Sequence, residues 1–326
     1  MNAKISALVK AAVSALLFYL LFRKMDFHQF GATLSHARLG ILFGSFALLW
    51  IGHYICIFRW RMLMRPLMPV FSLTRLFEIY CIGLFFNLAF PTAVGGDVVK
   101  MYYAGKPSRQ YAQSFAATFL DRDSGMLAMM IIACIGTILL PMRVPGIPVS
   151  LIIWLSFVAF VVLNFVIFTP RLHRLLTRVL HKVRLSRIAT KVDAISNAFQ
   201  IMGRNPRVLL DSLMISTLNQ LLVFSVAWVT AIGLHIEVSF LYFLVLVPVI
   251  TLVTMLPITL SGTGLREYAF VSLFGAIGVA PASGLALGLL GSIMVMLSAV
   301  PGGIVYIFFR NRSDLRQMAA METDFS

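Results

Sequence analysis

The stretch NLAFPTAVGGDVVKMYYAG, from Asn87 to Gly105, interrupts an apolar segment with a proline and two glycines. Two opposite charges follow, Asp97 and Lys100, three residues apart. In a segment that is apolar enough to enter a lipid bilayer, a turn and two charges are costly unless other protein groups satisfy them. The stretch therefore decides whether this segment crosses the membrane once or turns back within it.

The composition of the whole chain indicates a helical membrane protein. Of its 326 residues, 60% are hydrophobic and 12% are charged, and the mean hydropathy is +0.92. A soluble domain has about 45–50% apolar and about 25% charged residues. Most apolar windows are long enough for helices that cross about 30 Å of hydrocarbon, unlike the short alternating segments of a barrel. The windows are Ile5–Phe22, Leu39–Phe58, Leu76–Val94, Gly125–Met142, Leu151–Thr169, Leu213–Leu234, Phe240–Leu260, Gly284–Phe309 and the shorter Tyr268–Ala280, and the fourth helix is expected to begin near Gln113.

The net charge of +15 predicts the orientation in the membrane, and not nucleic-acid binding, because the basic residues flank apolar windows. The most basic segments, Arg59–Arg75, Arg171–Arg207 and the tail from Arg310, are predicted to be cytoplasmic. The nearly neutral loops PMRVPGIP and HIEVSF are predicted to be external, and so is Arg23–Arg38, despite its three basic residues. The first apolar run lacks a small-residue cleavage site, so we expect a retained helix. Both termini are therefore predicted on the cytoplasmic side of the inner membrane.

The number of crossings supports a turn inside the membrane. If Leu76–Val94 crossed once, the basic segment Arg171–Arg207 would lie outside, against the strongest charge signal in the chain. A hairpin that breaks at Pro91–Gly96 and returns to the cytoplasmic side removes the conflict. We therefore predict an all-α polytopic protein with about six full spans and two re-entrant or half-helix elements, the second of which is described next.

A second segment repeats the pattern of the first. MLPITLSGTGLREYAF, from Met255 to Phe270, again joins an apolar helix to a proline, to small polar residues and glycines, and to a charged pair. When Pro91 is set beside Pro257, the segments read PTAVGGDVVKMYY and PITLSGTGLREYA, and they are approached from opposite sides of the membrane. Broken helices in corresponding places are typical of inverted-repeat transporters. One pairwise comparison leaves an inverted repeat and two unrelated breaks both open.

The remaining organisation is a membrane domain over residues 1–310 and a cytoplasmic tail over 311–326. Within the domain, apolar residues at spacings of three and four predict amphipathic helices in 171–207. These helices either lie on the inner leaflet or form a solvated loop that only sets the topology. The three cysteines lie in apolar windows without a CxxC or histidine partner, so we interpret them as small core residues.

Charged and amide side chains inside the apolar windows are the candidate site residues, because such groups normally pair or line an aqueous path. They are Glu78, Asn87, Asp97, Lys100, Asp121, Arg122, Asp123, Asp211, Arg266 and Glu267. The predicted structural breaks are Pro91, Pro257, Ser261, Gly262, Gly264 and Pro301, the last as a kink, a close-packing point or a hinge.

Asp97 has two interpretations. It can pair with Lys100 on one helix face or cap the helix, or it can contact a substrate or a proton.

Gly95 and Gly96 allow positive φ and close backbone approach, and the helix N-terminus after them suits a phosphate. Arg122 either binds phosphate or only neutralises its two neighbouring aspartates. Arg266 must find a partner other than the adjacent Glu267.

Other polar residues have simpler interpretations. His53 and the pair Asn219 and Gln220 suit hydrogen bonds between helices, and FRWR, at Phe58–Arg61, suits an anchor at the membrane interface. The sequence contains no P-loop, HExxH, GxSxG or paired Cys/His zinc spacing. It therefore predicts no metal, no cofactor and no enzymatic activity.

Four motifs, NLAFPTAVGGDVVKMYYAG, FLDRDSG, SGTGLREYAF and AVPGGIVYIF, resemble the flippase-like transmembrane family related to the membrane region of lysylphosphatidylglycerol synthases. The resemblance covers nearly the whole chain. In the synthases, this region is thought to move an aminoacylated lipid between leaflets while a soluble domain makes it. The chain ends about 17 residues after its last window, so we expect that domain to be absent. The implied motif positions are Asn87, Pro91, Gly95, Gly96, Asp97, Lys100, Asp121, Arg122, Gly264, Arg266 and Glu267.

These observations predict a protein that moves a phospholipid or polar lipid between leaflets of the inner membrane without ATP. The expected partners are lipids with an anionic or zwitterionic head group, and a second copy or a lipid-synthesis enzyme. The alternatives are an embedded enzyme and a scaffold for the synthesis of lipids, glycolipids or polyprenyl-lipids. The predicted mechanism requires the charged residues of both breaks to converge on one cavity.

Overall fold

The computed structural model describes residues 12–17, 19, 21, 23, 26–90, 95–141, 148–169, 186–256, 258–259 and 262–324. Within these residues the chain forms α-helices joined by short connections, which confirms the all-α fold. The helices are α1 (Phe27–Ser35), α2 (Leu39–Met64), α3 (Leu73–Ala89), α4 (Gly95–Gly105), α5 (Tyr111–Leu139), α6 (Val149–Phe168), α7 (Ser186–Gly203), α8 (Pro206–Gly233), α9 (Phe240–Met255), α10 (Leu265–Gly275) and α11 (Pro281–Asp324).

Five of the described helices are long and apolar enough to cross a membrane, namely α2, α5, α6, α8 and the Pro281–Phe308 part of α11. They coincide with five of the six windows predicted to span. The sixth, Ile5–Phe22, lies mostly outside the described residues. α5 begins at Tyr111, close to the predicted start. The polytopic membrane architecture is therefore confirmed.

The helices α3 and α4 form the predicted hairpin around the first break. The side-chain oxygen of Asn87 accepts a hydrogen bond from the Gly96 N–H at 2.8 Å, and a Cβ at Gly83 would meet Lys100. The two helices therefore run antiparallel in close contact. At about 1.5 Å per residue, the 11-residue α4 is about 16 Å long and too short to cross the hydrocarbon core. Pro91 lies outside the described residues.

Glycine acts in this hairpin through its small size. A Cβ at Gly96 would collide with the carbonyl oxygen of Gly83, and a Cβ at Gly95 would collide with the ring of Phe90. Neither Gly95 nor Gly96 has positive φ. The expected close approach is confirmed, whereas the expected use of positive φ is wrong because both glycines lie within the regular helix α4.

The helices α9 and α10 form a second hairpin. Gly262 lies beside Thr254, and the rings of Phe243 and Phe274 are 5.1 Å apart, so these helices also run antiparallel. Here the turn does require left-handed backbone, because φ is +81° at Gly262 and +83° at Gly264. The predicted breaks Pro257 and Ser261 lie outside the described residues.

The two halves of the chain have the same helix order and run in opposite directions. The series α2 to α5 matches α8 to α11, each with a long helix, a short helix, an 11-residue helix and a long helix. The first members, α2 and α8, pack antiparallel: the Arg38 N–H donates to the Gly233 carbonyl at 2.8 Å, and Arg59 reaches Ser216. This arrangement supports the inverted repeat over two unrelated breaks.

The structure changes which residues of the halves correspond. The breaks differ in length, with five residues at 90–94 and nine at 256–264. After the breaks, the helix bounds of the two halves differ by a constant 170 residues: α4 and α10 begin at Gly95 and Leu265 and end at Gly105 and Gly275, and the next helices begin at Tyr111 and Pro281. Asp97 therefore corresponds to Glu267. The alignment of Pro91 with Pro257 places Asp97 opposite Thr263 and is wrong beyond the breaks, because it ignores the longer second turn.

The amphipathic helix predicted in the basic segment is present as α7, but its apolar face covers protein. The ring of Phe199 packs edge-on against Phe119 of α5 at 5.5 Å and Phe168 of α6 at 5.3 Å. Ala198 and Met202 are buried beside it. This face is therefore not presented to the inner leaflet. The predicted apolar positions between 172 and 183 lie outside the described residues.

Pro301 does not break its helix. α11 continues through it and on to Asp324, so the predicted tail begins as an extension of the last helix. The glycine after the proline serves close packing, because a Cβ at Gly302 would collide with the carbonyl oxygen of Cys81 in α3. Of the three interpretations of this motif, close packing is the one that the structure supports.

Candidate functional site

A buried ion pair joins two helices, and its arginine also reaches a third. The Nε–H of Arg59 on α2 donates to Asp121 on α5 at 2.7 Å, and one of its Nη groups donates to Ser216 on α8 at 2.6 Å. The Arg59 and Asp121 side chains are 5% and 8% exposed. The adjacent Trp60 is fully buried and donates to Thr118 at 3.2 Å. The interpretation of FRWR as an interface anchor is therefore wrong for Arg59 and Trp60.

Asp97 binds two cations, one through each carboxylate oxygen. The Lys100 ammonium is 2.8 Å from one oxygen, which confirms the predicted pair on one face of α4. Arg122 of α5 donates to the other oxygen. Because Arg122 binds Asp97 and Asp121 binds Arg59, Arg122 does not simply neutralise its sequence neighbours.

The Lys100 ammonium is enclosed between the carboxylate and two aromatic rings. It lies 5.1 Å from the ring centre of Tyr80 and 5.6 Å from that of Trp60, within the range of cation–π attraction. The Lys100 side chain is 9% exposed, whereas that of Arg122 is 34% exposed. Lys100 therefore holds Asp97 from the protein side, and Arg122 is the more accessible cation of this group.

These ion pairs line a cavity of about 290 Å³ between the two halves of the chain. One wall carries Arg59, Asp97, Asp121 and Arg122, from α2, α4 and α5. The opposite half contributes the uncharged polar residues Asn219 and Gln220 of α8 and Thr251 of α9. Gly125, Met126, Met129 and Met255 complete the lining.

Asn219 lines this cavity and also contacts the neighbouring helix α2, in agreement with its predicted role between helices. Its Nδ2 group approaches the Cys56 sulfur of α2 at 3.4 Å. Its amide oxygen is buried and has no hydrogen-bond partner among the described residues. His53 also makes contacts between helices, 3.3 Å from the Tyr80 hydroxyl and 3.4 Å from that of Ser298. These residues therefore fit their predicted roles in helix packing.

Several predicted site residues have structural contacts away from this cavity. Asn87 holds the first hairpin through Gly96, and Gly95 and Gly96 allow its two helices to touch. Glu78 forms a half-exposed ion pair with Arg75 at 3.0 Å, one turn earlier on α3. None of these residues is part of the cavity lining.

Glu267 and Arg266 form a separate polar cluster at the second break. The Glu267 carboxylate accepts from the Gly264 N–H at 2.7 Å and from the Ser292 hydroxyl at 2.6 Å, and the residue is 1% exposed. An Nη group of Arg266 lies 3.4 Å from the same hydroxyl. Glu267 thus caps the N-terminus of α10. Neither Arg266 nor Glu267 lines this cavity, and among the described residues the charged groups of the two breaks lie in two separate clusters.

Asp123 faces away from the cavity, towards a groove of about 390 Å³ between α5, α6 and α8. Ser124, Asn164 and Ser212 are the other polar residues of this largely apolar groove. The Ser124 hydroxyl also accepts from Ser216, the partner of Arg59, at 3.0 Å. Asp211, another predicted candidate, is exposed to the outside of the protein.

Sequence reasoning missed Arg59, Ser216 and Thr251. The sequence did contain a signal for Arg59, because Asp121 lies within an apolar helix and requires a cation from another part of the chain. Arg59 lies within the last two turns of α2, and the apolar window Leu39–Phe58 ends beside it. Serine and threonine are common in membrane helices, so nothing in the sequence distinguished Ser216 and Thr251 from other such residues.

The comparisons with known proteins agree with these features. The family model described as the lysylphosphatidylglycerol synthase TM region matches residues 7–304, which include both hairpins and all of the cavity residues. No curated protein and no solved structure matches the chain. The four motifs, the paired hairpins and this match lead to one conclusion: the chain belongs to the family of lysylphosphatidylglycerol synthase transmembrane regions.

Proposed function

We propose that the protein translocates a phospholipid or another polar lipid between the leaflets of the cytoplasmic membrane without ATP. Membership of the family supports a role connected with membrane lipids. The observation that carries the proposal is the charged cavity at the junction of the two halves. Ion pairs inside a membrane are costly and usually line a path for a polar substrate.

In this proposal a lipid head group occupies the cavity while its acyl chains remain in the bilayer. The partly exposed Arg122 contacts the phosphate, since a guanidinium can offer two parallel donors. Asp97 orients Arg122, and Lys100 fixes Asp97 from behind. Arg59 and Asp121 form the floor of the site, where they also fasten α2 to α5.

The energy source in this proposal is the lipid distribution itself or an ion gradient. The sequence has no P-loop for ATP. The structural repeats resemble those of secondary transporters, in which one half moves against the other around a central site. The contact between α2 and α8 is the surface on which such a movement would take place.

The test is leaflet exchange of a phospholipid labelled on an acyl chain in proteoliposomes, measured as the loss of label protection from an external quencher. We expect wild-type protein to expose label from the inner leaflet, and Arg122→Gln and Asp97→Asn to slow this exposure to near the rate of protein-free liposomes. Arg266→Ala shows whether the second hairpin takes part. Lys106→Met, an exposed cation outside the cavity, is the matched control and should exchange lipid at the wild-type rate.

The proposal fails if wild-type protein exchanges lipid no faster than protein-free liposomes. Product formation from a lipid carrier by the purified protein would instead indicate an embedded enzyme. Co-purification with a lipid-synthesis enzyme, without any exchange activity, would indicate a scaffold.

A further inference from the structure

The groove beside the cavity, on the opposite side of α5, opens towards the outside of the helix bundle. It has a volume of about 390 Å³ and is lined by α5, α6 and α8, all of which are long and apolar enough to cross a membrane. Its rim is open, since Val161 and Leu210 are 42% and 58% exposed. In a membrane, this groove therefore borders the surrounding lipid.

The lining of the groove matches the two parts of a phospholipid. Most of it is apolar and suits acyl chains, whereas Asp123, Ser124, Asn164 and Ser212 are polar. The Asn164 side chain forms a hydrogen bond with the Asp123 carboxylate. Polar and charged groups beside lipid are costly and usually line a path for a polar substrate, and a lipid head group is such a substrate.

Three serine hydroxyls lie between the groove and the cavity. The Ser124 hydroxyl of α5 is 3.1 Å from that of Ser212 and 3.0 Å from that of Ser216, both on α8. Towards the cavity, the Ser216 hydroxyl accepts from the buried Arg59 guanidinium at 2.6 Å. The barrier is therefore a row of small side chains. A phosphate oxygen that takes the place of the Ser216 hydroxyl gains a stronger, charge-assisted hydrogen bond from Arg59.

The two halves of the chain differ at this barrier. In the inverted repeat, α5 and α8 correspond to α11 and α2. α5 packs along α8, whereas the backbones of α11 and α2 hardly approach each other among the described residues, and His53 reaches Ser298 across that gap at 3.4 Å. The structure is therefore closed at one of two corresponding contacts and open at the other.

The inverted repeat indicates what the opposite state looks like. When the two halves exchange their conformations, α11 closes on α2 and α5 separates from α8. Separation at Ser124 joins the groove to the cavity. α5 remains fastened to α2 by the ion pair between Arg59 and Asp121, so these two helices of the first half move together.

We infer that the groove is the entrance by which a phospholipid of the surrounding leaflet reaches the cavity, and that the contact between α5 and α8 is its gate. The head group passes between the serines while the acyl chains stay in the groove and the bilayer. The groove is formed by the last turns of α6 and the first turns of α8, whose adjoining segment is predicted to be cytoplasmic, so the entrance faces the inner leaflet. This inference rests on the proposed lipid translocation and adds its path.

A reversible cross-link tests the gate. In a background without native cysteines, Ser124→Cys/Ser212→Cys places two thiols where the hydroxyls are 3.1 Å apart, so that oxidation joins α5 to α8. We expect exchange of a phospholipid labelled on an acyl chain to fall to the protein-free rate on oxidation and to recover on reduction. Mass spectrometry after alkylation measures the loss of free thiols. The single variants Ser124→Cys and Ser212→Cys should keep their own rates when treated with the same oxidant.

A matched pair of variants tests the groove without changing the gate. Leu210→Trp adds bulk at the rim of the groove. Leu218→Trp makes the same change on the same helix, at a position that is 59% exposed and is not part of the groove lining. We expect Leu210→Trp to slow lipid exchange and Leu218→Trp to exchange lipid at the wild-type rate.

The outcomes separate this inference from the proposed function. Undiminished exchange by the oxidised double variant overturns the gate, and equal rates for Leu210→Trp and Leu218→Trp overturn the entrance, while lipid translocation stands in both cases. No exchange by the wild-type protein overturns the proposed function, and the inference with it. Should the reduced double variant be inactive, the comparison of the two tryptophan variants decides.

Discussion

At the scale of single residues, two of the buried ion pairs join partners that lie far apart in the sequence. Asp121 and Arg59 belong to different helices, and so do Asp97 and Arg122. The buried Glu267 carboxylate is satisfied in a different way, since its two described hydrogen bonds come from a backbone N–H and a hydroxyl and not from a cation. The ion pairs therefore fasten helices together as well as lining the cavity.

The Arg59–Asp121 pair leads to a stability prediction. Arg59→Met leaves the Asp121 carboxylate buried without its cation, and removing one partner of a buried pair typically costs about 3–5 kcal/mol. We expect a clear fall in the thermal unfolding midpoint of the purified protein in detergent. The double variant Arg59→Met/Asp121→Leu removes both charges and should recover much of the loss.

The matched control is Arg75→Met. The Arg75–Glu78 pair is partly exposed to solvent, and such pairs contribute about 0–1 kcal/mol. Equal destabilisation by Arg59→Met and Arg75→Met would contradict the structural role assigned to the buried pair.

At the scale of elements, the two hairpins use glycine in different ways. The first depends on glycine inside regular helices, where Gly83 and Gly96 allow two backbones to touch. The second depends on positive φ at Gly262 and Gly264, within a longer turn. Each hairpin presents the N-terminus of an 11-residue helix with an acid in its first turn, Asp97 or Glu267. The acid binds cations in the first half and caps its helix in the second.

The first hairpin gives a prediction at this scale. Gly96→Ala would place a Cβ against the Gly83 carbonyl oxygen and the Asn87 side chain, and the carbonyl cannot move away without parting α3 from α4. Overpacking of this kind costs about 1–3 kcal/mol or more. We expect a lower thermal midpoint and slower lipid exchange, since Asp97 and Lys100 are carried by α4.

Gly44→Ala is the comparison for this variant. Gly44 lies on the exposed face of α2 and a Cβ there meets nothing within 4 Å, so alanine should raise helix stability slightly. A Gly96→Ala protein as stable as the Gly44→Ala protein would show that the hairpin tolerates separation.

At the scale of the whole molecule, the cavity lies at the junction of two halves that share a helix order and run in opposite directions. α2 and α8 pack antiparallel along the junction, and α5 and α9 contribute lining residues from each side. This arrangement predicts that the first hairpin enters from one side of the membrane and the second from the other.

Site-directed labelling tests this topology in cells. In a background without native cysteines, Lys106→Cys and Arg204→Cys should react only with a permeant thiol reagent, because both exposed positions are predicted to be cytoplasmic. Glu237→Cys, in the loop before the second hairpin, should react with an impermeant reagent added outside. Labelling of positions 106 and 237 from the same side would rule out the inverted arrangement.

Much of the fold follows from the sequence, because the constraints that set it are local. Apolar length predicts the spans, since each helix satisfies its own backbone within the membrane. Proline and glycine mark both breaks, and the crossing count identifies the first as a hairpin. The pairing of Asp97 with Lys100 also follows, because residues three apart share a helix face.

The tertiary structure decided what depends on the rotation of each helix and on which helices are neighbours. It paired Asp97 with Arg122, buried Arg59 against Asp121, and turned Asp123 to the opposite side of α5. It also matched Asp97 with Glu267, because the second turn is four residues longer than the first. The sequence by itself determined where the chain enters, crosses and turns within the membrane. Only packing decided which charges of different helices meet, because partners so far apart along the chain leave no periodic signal in it.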